Sequence, residues 1–364
     1  MPTGKTAQDE ARRIHDVFVQ AGAEVIEADV LQPAEVLLDL YGEDIRARAY
    51  VTNDPLRGEM MLRPDFTVPV VQMHMAEGAE PARYTYSGLV FRKQEESLSR
   101  ASEYIQVGYE VFERENPVAS DAEVFALFAG LLAPLSLRAA TGDIAILMAA
   151  VRGLQTLDSR KSALLRHIWR PARFTQLLER FGGRTPVPES RAQLLAALAA
   201  GETPATAPNI GQRSQAEITN RLQALQEDAS AAPISAAEVA RLEELLNLSA
   251  KSPDALAHLR DLARDMPAIA GAVDRFEARL DALAAKGVDV AGLDFEASHG
   301  RTTLEYYDGF VFSFHAADAS LPPVASGGRY DALTAVLGQG RSIPAVGGVI
   351  RPGLVAQLKE AAPC

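Results

Sequence analysis

Apolar positions over residues 7–21 recur at helical spacing, with Ala11, Ile14, Val17, Phe18 and Ala21 on one stripe. Thr6 can cap this helix and Gly22 can stop it. A short strand pattern follows over 24–28, then Pro33 and a polar turn. Residues 45–51 (IRARAYV) alternate and predict a strand. Residues 60–67 (MMLRPDFT) predict another that turns at Pro64, and 68–75 predict a helix. The stretch 86–112 (YSGLVFRKQEESLSRASEYIQVGYEVF) reads as strand, charged loop, strand. On its second strand, Tyr104, Gln106, Gly108 and Glu110 share one face, while Ile105, Val107, Tyr109 and Val111 take the other. Alone, this alternation fits a solvated sheet face as well as a polar pocket. Loop arginines such as Arg100 suit anionic oxygens, because guanidinium presents a planar fork of donors. A buried helix is expected over 121–133.

Beyond this point the pattern becomes helical. Residues 162–170, 172–180, 189–199, 216–226, 236–246, 254–265 and 269–285 are helix candidates, separated by Gly- and Pro-rich turns. No heptad persists long enough to predict a coiled coil. From about residue 290 strand character returns. TLEYY (303–307) and FVFSF (310–314) flank Asp308-Gly309, a two-residue hairpin signal. A helical stretch at 332–337, a strand-like 345–350 and a last helix from Pro352 follow. Hairpins with helices alongside predict an α+β fold: an antiparallel sheet flanked by helices, formed by 1–149 and 290–364, with a mostly helical insertion at 150–289.

Composition narrows the function classes. The formal net charge of −12 disfavours a general nucleic-acid binder. The single cysteine, Cys364, allows neither an internal disulfide nor a cysteine metal site. The six histidines form no close pair at ligand spacing, so no metal is expected, and no cofactor either. With no signal-peptide pattern and no long apolar run, a cytoplasmic protein without a membrane span is expected.

Four motifs in order resemble one family, the class II aminoacyl-tRNA synthetase core, and within it the histidyl-tRNA synthetase branch. LRPDFT (62–67) is similar to that branch's LRPEGT, and 91–110 to class II motif 2. LEYYDGFVF (304–312) is similar to the GLDYY signature, and GGRYD (327–331) with PAVG (344–347) to the branch's own GGRYD and PAVG. The resemblance implies that Asp65 and Thr67 hold an α-amino group and that Gln106 lies near the amino or carboxylate end. It implies that Glu110 and Tyr307 read the imidazole, that Tyr330 is another pocket aromatic, and that Tyr306 also binds the ligand. Arg92 matches a carboxylate and α-phosphate contact, and Arg100 a loop arginine near ATP phosphates. Glu110 can accept one imidazole N–H while a tyrosine hydroxyl serves the other nitrogen.

Three departures separate the chain from a working synthetase. The arginine that precedes the GLDYY-type segment is replaced by Thr302. Arg301 is one residue off, which on a strand points to the other face. The motif 3 arginine is replaced by Leu354, and Arg351, three residues early and followed by Pro352, offers no ready substitute. The chain ends at Cys364, where an anticodon-binding domain would need roughly a hundred more residues. Adenylation depends on cations placed where charge develops, and each lost group costs about 10²–10³ in rate. This pattern resembles the ATP phosphoribosyltransferase regulatory subunit family. The resemblance implies a non-catalytic chain that activates a short-form catalytic subunit, mediates feedback inhibition by L-histidine, and forms dimers within a hetero-octamer. The alternative is a truncated ligase that adenylates an amino acid for a non-tRNA acceptor.

Overall fold

The computed structural model describes residues 3–41, 45–94, 100–202, 214–301 and 306–361, apart from the side chains of Asp39 and Tyr41. The strands are β1 (Glu24–Val25), β2 (Leu31–Pro33), β3 (Val51–Asp54), β4 (Gly58–Leu62), β5 (Ala82–Phe91), β6 (Glu103–Phe112), β7 (Arg138–Asp143), β8 (Ser249–Lys251), β9 (Asp294–Glu296), β10 (Phe310–His315), β11 (Ala325–Arg329) and β12 (Ala345–Ile350). Nine of them form one sheet in the order β1-β5-β6-β12-β11-β10-β7-β9-β8. Its centre is antiparallel, and the pairs β1–β5 and β7–β9 are parallel. A smaller antiparallel sheet has the order β2-β4-β3.

Period-two alternation divides the large sheet into an apolar and a polar face. On the apolar face, Phe312 of β10 lies 5.5 Å from Phe125 and 5.6 Å from Phe128, both on the helix Pro117–Leu132. Phe18 of the first helix, Lys5–Gln20, sits 5.2 Å from Tyr109 of β6 and 5.5 Å from Phe128. Such ring pairs add about 0.5–1.5 kcal/mol each beyond their burial. Asn116 caps the helix Pro117–Leu132 by accepting the Ala119 N–H at 3.0 Å. By length and composition the segment 117–135 could cross a membrane. Here it is the core helix under the sheet, and Asp121 on its buried face is ion-paired inside the protein.

Several elements differ from the sequence expectation. Residues 45–51 are not a strand. Ile45–Arg48 form a helical turn and β3 begins at Val51. Ile45 and Ala49 are the buried pair, so a four-residue spacing prevails over the alternation. The turn expected after Pro33 is the helix Ala34–Tyr41, whose Ala34 and Leu37 face a small cluster with Ile45 and Met61. Thr6 lies inside the first helix, which starts from Gly4 without a side-chain cap. Gly22 does end it, at φ +93°. Tyr306 and Tyr307 are not in a strand, and β10 pairs with β7 and β11, not with a hairpin partner at its own N-terminus. Asp308 is committed elsewhere: its carboxylate accepts the N–H groups of Asp331 (3.0 Å) and Ala332 (2.7 Å), at the start of the helix Asp331–Leu337. Residues 303–305 of the expected hairpin lie outside the described residues.

From Ile144 to Ala285 the chain is mostly helical. Ser214 with Glu217 and Ser235 with Glu238 form capping boxes at two helix starts. This stretch also supplies β8, which extends the edge of the large sheet. A buried ion network ties it to the centre. Arg279, on the helix Ala270–Ala285, donates to Asp121 at 3.1 Å and to Asp143. Arg329 of β11 donates to Asp121 at 2.6 Å and to Asp331 at 3.0 Å. Removing one partner of a buried pair leaves an uncompensated charge. Arg279→Leu should therefore lower the unfolding free energy by about 3–5 kcal/mol, read by urea denaturation. Exposed Arg264→Leu should change it by less than about 0.5 kcal/mol. Equal effects of the two variants would show that the network holds nothing.

Candidate functional site

Glu110 is the centre of the polar face, 1% exposed. Its Oε1 accepts from the Tyr86 hydroxyl at 2.8 Å and from Thr67 Oγ1 at 3.4 Å. Its Oε2 accepts from the Tyr330 hydroxyl at 2.6 Å. Burial pushes the carboxyl up to about 7, against the three hydroxyls that stabilise its charged form. Burial beside Glu110 likewise raises the Tyr86 and Tyr330 hydroxyls.

The sheet makes room for this group with glycine. Gly108 pairs with Tyr86 and Gly347 pairs with Glu110. A Cβ at Gly108 would overlap the Tyr86 ring, and one at Gly347 would overlap the Glu110 carboxylate. The Tyr86 ring therefore lies across Gly108 and delivers its hydroxyl to Glu110. Phe66 stacks on Tyr86 at 4.3 Å and Arg63 sits 3.9 Å from the Phe66 ring.

Loop and helix residues close the space above the sheet. Thr67 begins the helix Thr67–Glu77, and its Oγ1 accepts from the Tyr306 hydroxyl at 3.3 Å. The Tyr306 ring lies 4.8 Å from Tyr307 and 6.0 Å from Tyr330. Asp65 is buried, and burial raises its carboxyl although Arg92 opposes the shift. Arg92 Nε donates to the Pro64 carbonyl at 2.7 Å. Gln106 is 1% exposed, and its Oε1 has no hydrogen-bond partner.

Asp65, Thr67, Arg92, Gln106, Glu110, Tyr306, Tyr307 and Tyr330 thus gather on one side of the sheet. Thr67, Glu110, Tyr306 and Tyr330 share one hydrogen-bonded cluster. Arg100 is exposed, at the edge of this region, and acts on it through its charge on Arg351. Thr302 lies outside the described residues. Arg301 turns away from the pocket: its Nε donates to the Ile168 carbonyl at 2.7 Å and it covers the Phe174 ring. Leu354 packs against the hydrophobic core. Sequence reasoning missed Tyr86, which donates to Glu110. The signal for Tyr86 was a large aromatic facing Gly108, visible only once the strands are in register.

Glu110 also sets a pH dependence. Its folded value, about 7, lies above its ordinary 4.5. The folded protein therefore holds this proton more tightly, and that stability is present at pH 4 and lost as pH rises through about 7. Each unit of displacement is about 1.4 kcal/mol. From pH 4 to pH 7.5, wild type should lose up to about 3 kcal/mol more than Glu110→Gln, measured by chemical denaturation. Parallel profiles for the two proteins would contradict this.

A family model described as histidyl-tRNA synthetase matches residues 2–233 and 205–352. ATP phosphoribosyltransferase regulatory subunits of Brucella canis and Brucella abortus (strain 2308) are each 33% identical over 349 residues, covering 89% of this chain and 90% of theirs. Among solved structures, an ATP phosphoribosyltransferase regulatory subunit/histidyl-tRNA synthetase from Bacillus halodurans matches with a TM-score of 0.68 at 20% identity, over 97% of this chain and 79% of that one. Histidyl-tRNA synthetase from Nostoc sp. PCC 7120 matches with a TM-score of 0.62 at 18% identity, over 98% and 71%. These two likenesses speak for the fold, and the 33% relatives for the family. The chain has a histidyl-tRNA synthetase-like class II fold and belongs to the ATP phosphoribosyltransferase regulatory subunit family, with a regulatory role in histidine biosynthesis.

Proposed function

We propose that this chain does no chemistry of its own and senses L-histidine in the pocket around Glu110. The observation that carries this reading is the hydroxyl-ringed buried carboxyl near its midpoint at neutral pH. Such a group suits an imidazole, whose N–H it can accept in place of a tyrosine hydroxyl. Asp65 and Thr67 supply acceptors for an ammonium group, and Gln106 Oε1 supplies another. Arg92 and Arg100 supply positive charge at the other end, for a carboxylate.

The partner in this reading is a short-form ATP phosphoribosyltransferase catalytic subunit. The regulatory chains pair as dimers within a hetero-octamer in the cytoplasm, and neither nucleic acid nor membrane takes part. Residues 1–149 with 290–364 act as the sensing core, and 150–289 as an accessory region. Histidine reaches the partner by favouring one of two states of the complex, so substrates that oppose inhibition also weaken histidine binding.

Phosphoribosyl-ATP formation by the same organism's catalytic subunit tests the reading. Adding this chain should raise the rate, and histidine should reverse the rise. In the Glu110→Ala complex, activation should remain and half-inhibition should need at least about tenfold more histidine. Amino-acid-dependent exchange of labelled diphosphate into ATP by this chain alone would instead favour the ligase alternative, for which the retained Arg92 and Arg100 speak.

A further inference from the structure

Two hydrogen bonds cross from the helical region to the two residues that bracket the approach to Asp308. Arg301 Nε donates to the Ile168 carbonyl at 2.7 Å, and Trp169 Nε1 donates to the Tyr307 carbonyl at 3.0 Å. Ile168 and Trp169 are consecutive, at the corner between the helices Asp158–Arg166 and Pro171–Phe181. The corner is itself held in place. The Ile168 N–H donates to the Leu165 carbonyl at 3.2 Å, the Ile168 side chain is fully buried, and the Trp169 ring packs against the core. Arg301 in turn covers the ring of Phe174, on the second of these helices.

The bond from Trp169 reaches a peptide unit that is also held from the other side. The Asp308 N–H belongs to the same unit as the Tyr307 carbonyl, and it donates to the Arg329 carbonyl of β11 at 3.0 Å. A trans peptide points its carbonyl and its N–H in opposite directions, so this unit is braced between the helical region and the sheet. The side chain it carries belongs to the polar cluster. The Tyr307 ring lies across Gly328, where a Cβ would come within 2.8 Å of it. It sits 4.8 Å from the Tyr306 ring, whose hydroxyl donates to Thr67. Burial and then the Glu110 charge raise the Tyr307 hydroxyl. A buried indole N–H needs some acceptor, and many carbonyls would serve. Here the acceptor is the backbone of a residue beside Glu110.

We infer that Trp169 is a positioning residue of the sensing site: through its N–H, the helical region holds Tyr307 where the ligand meets it. This rests on the histidine reading above and gives the helical region a part in it. Without the bond, the Tyr307 carbonyl loses its donor and the unit is braced from one side only. Fewer molecules then have Tyr307 in place, and the apparent affinity falls by that fraction. The coupling is reciprocal, so a ligand that needs Tyr307 in place also fixes the surroundings of Trp169.

Trp169 is the single tryptophan of the chain, so biosynthetic incorporation of a tryptophan analogue changes this position alone. Benzothienylalanine keeps the ring shape and puts sulfur where the N–H was. Azatryptophan, with its added nitrogen in the six-membered ring, keeps the N–H. Calorimetric binding of histidine to the full-length chain is then compared among wild type and the two analogue proteins. The benzothienylalanine protein should bind about two- to tenfold more weakly, the worth of one hydrogen bond. The azatryptophan protein should bind as wild type does. In wild type, the indole emission of Trp169 should change along the same saturation curve as the calorimetric signal. Unchanged affinity in the benzothienylalanine protein overturns the assignment and leaves the histidine reading standing. Equal weakening in both analogue proteins also overturns it, because ring packing and not the N–H would then matter. Should the benzothienylalanine protein not fold, wild type decides: indole emission unaltered by saturating histidine overturns the assignment. Wild type that fails to bind histidine at all overturns the histidine reading itself, and the assignment with it.

Discussion

The buried carboxyl of Glu110 is the constraint around which the polar side of this protein is arranged. A carboxylate taken out of water must find donors or give up its charge. Here it does part of both. Hydroxyls from Tyr86, Thr67 and Tyr330 surround it, and its pKa still stands near 7. These donors come from β5, from the start of the helix Thr67–Glu77 and from the residue that follows β11. Three separate parts of the chain are thereby fixed against one atom pair on β6. The glycines at 108 and 347 are the steric condition for it, because no other residue leaves space for the Tyr86 ring and the carboxylate on adjacent strands.

The same motif that supplies Tyr330 also connects the pocket to the rest of the molecule. Arg329 and Asp331 flank it, and Arg329 shares Asp121 with Arg279. Asp308 binds the backbone of Asp331 and Ala332, directly after the Tyr306–Tyr307 pair. Successive residues therefore look in opposite directions, Tyr330 toward Glu110 and Arg329 toward Asp121 on the helix Pro117–Leu132. Glu110 and that helix are thus held by two adjacent residues of the chain, Tyr330 and Arg329.

Much of this was legible from local pattern. Alternation placed Tyr104, Gln106, Gly108 and Glu110 on one face of β6, and that face carries the buried polar cluster around Glu110. The long helices followed their apolar spacing, as at Glu189–Ala199 and Ala236–Leu246, where expectation and structure coincide. Short elements were less legible. Ile45–Arg48 alternates like a strand, yet two buried positions four apart decide for a helical turn. The Asp308-Gly309 pair carries a hairpin signal, yet the aspartate is used to hold the start of a distant helix. Local propensity is weak, and a few tertiary contacts outweigh it over three or four residues.

By itself the sequence determined the family, the α+β class and the identity of the polar strand face, because motif order and two-residue alternation are properties of the chain alone. It also carried the resemblance in which Thr302 and Leu354 fall at positions where a synthetase would have arginines. Only the tertiary structure decided that Tyr86 donates to Glu110, that Arg301 covers Phe174, and that Arg351 lies beside Tyr104. Each of these depends on the register between strands or on the facing element. Register is set by side chains far apart in sequence, and no single stretch of chain contains it.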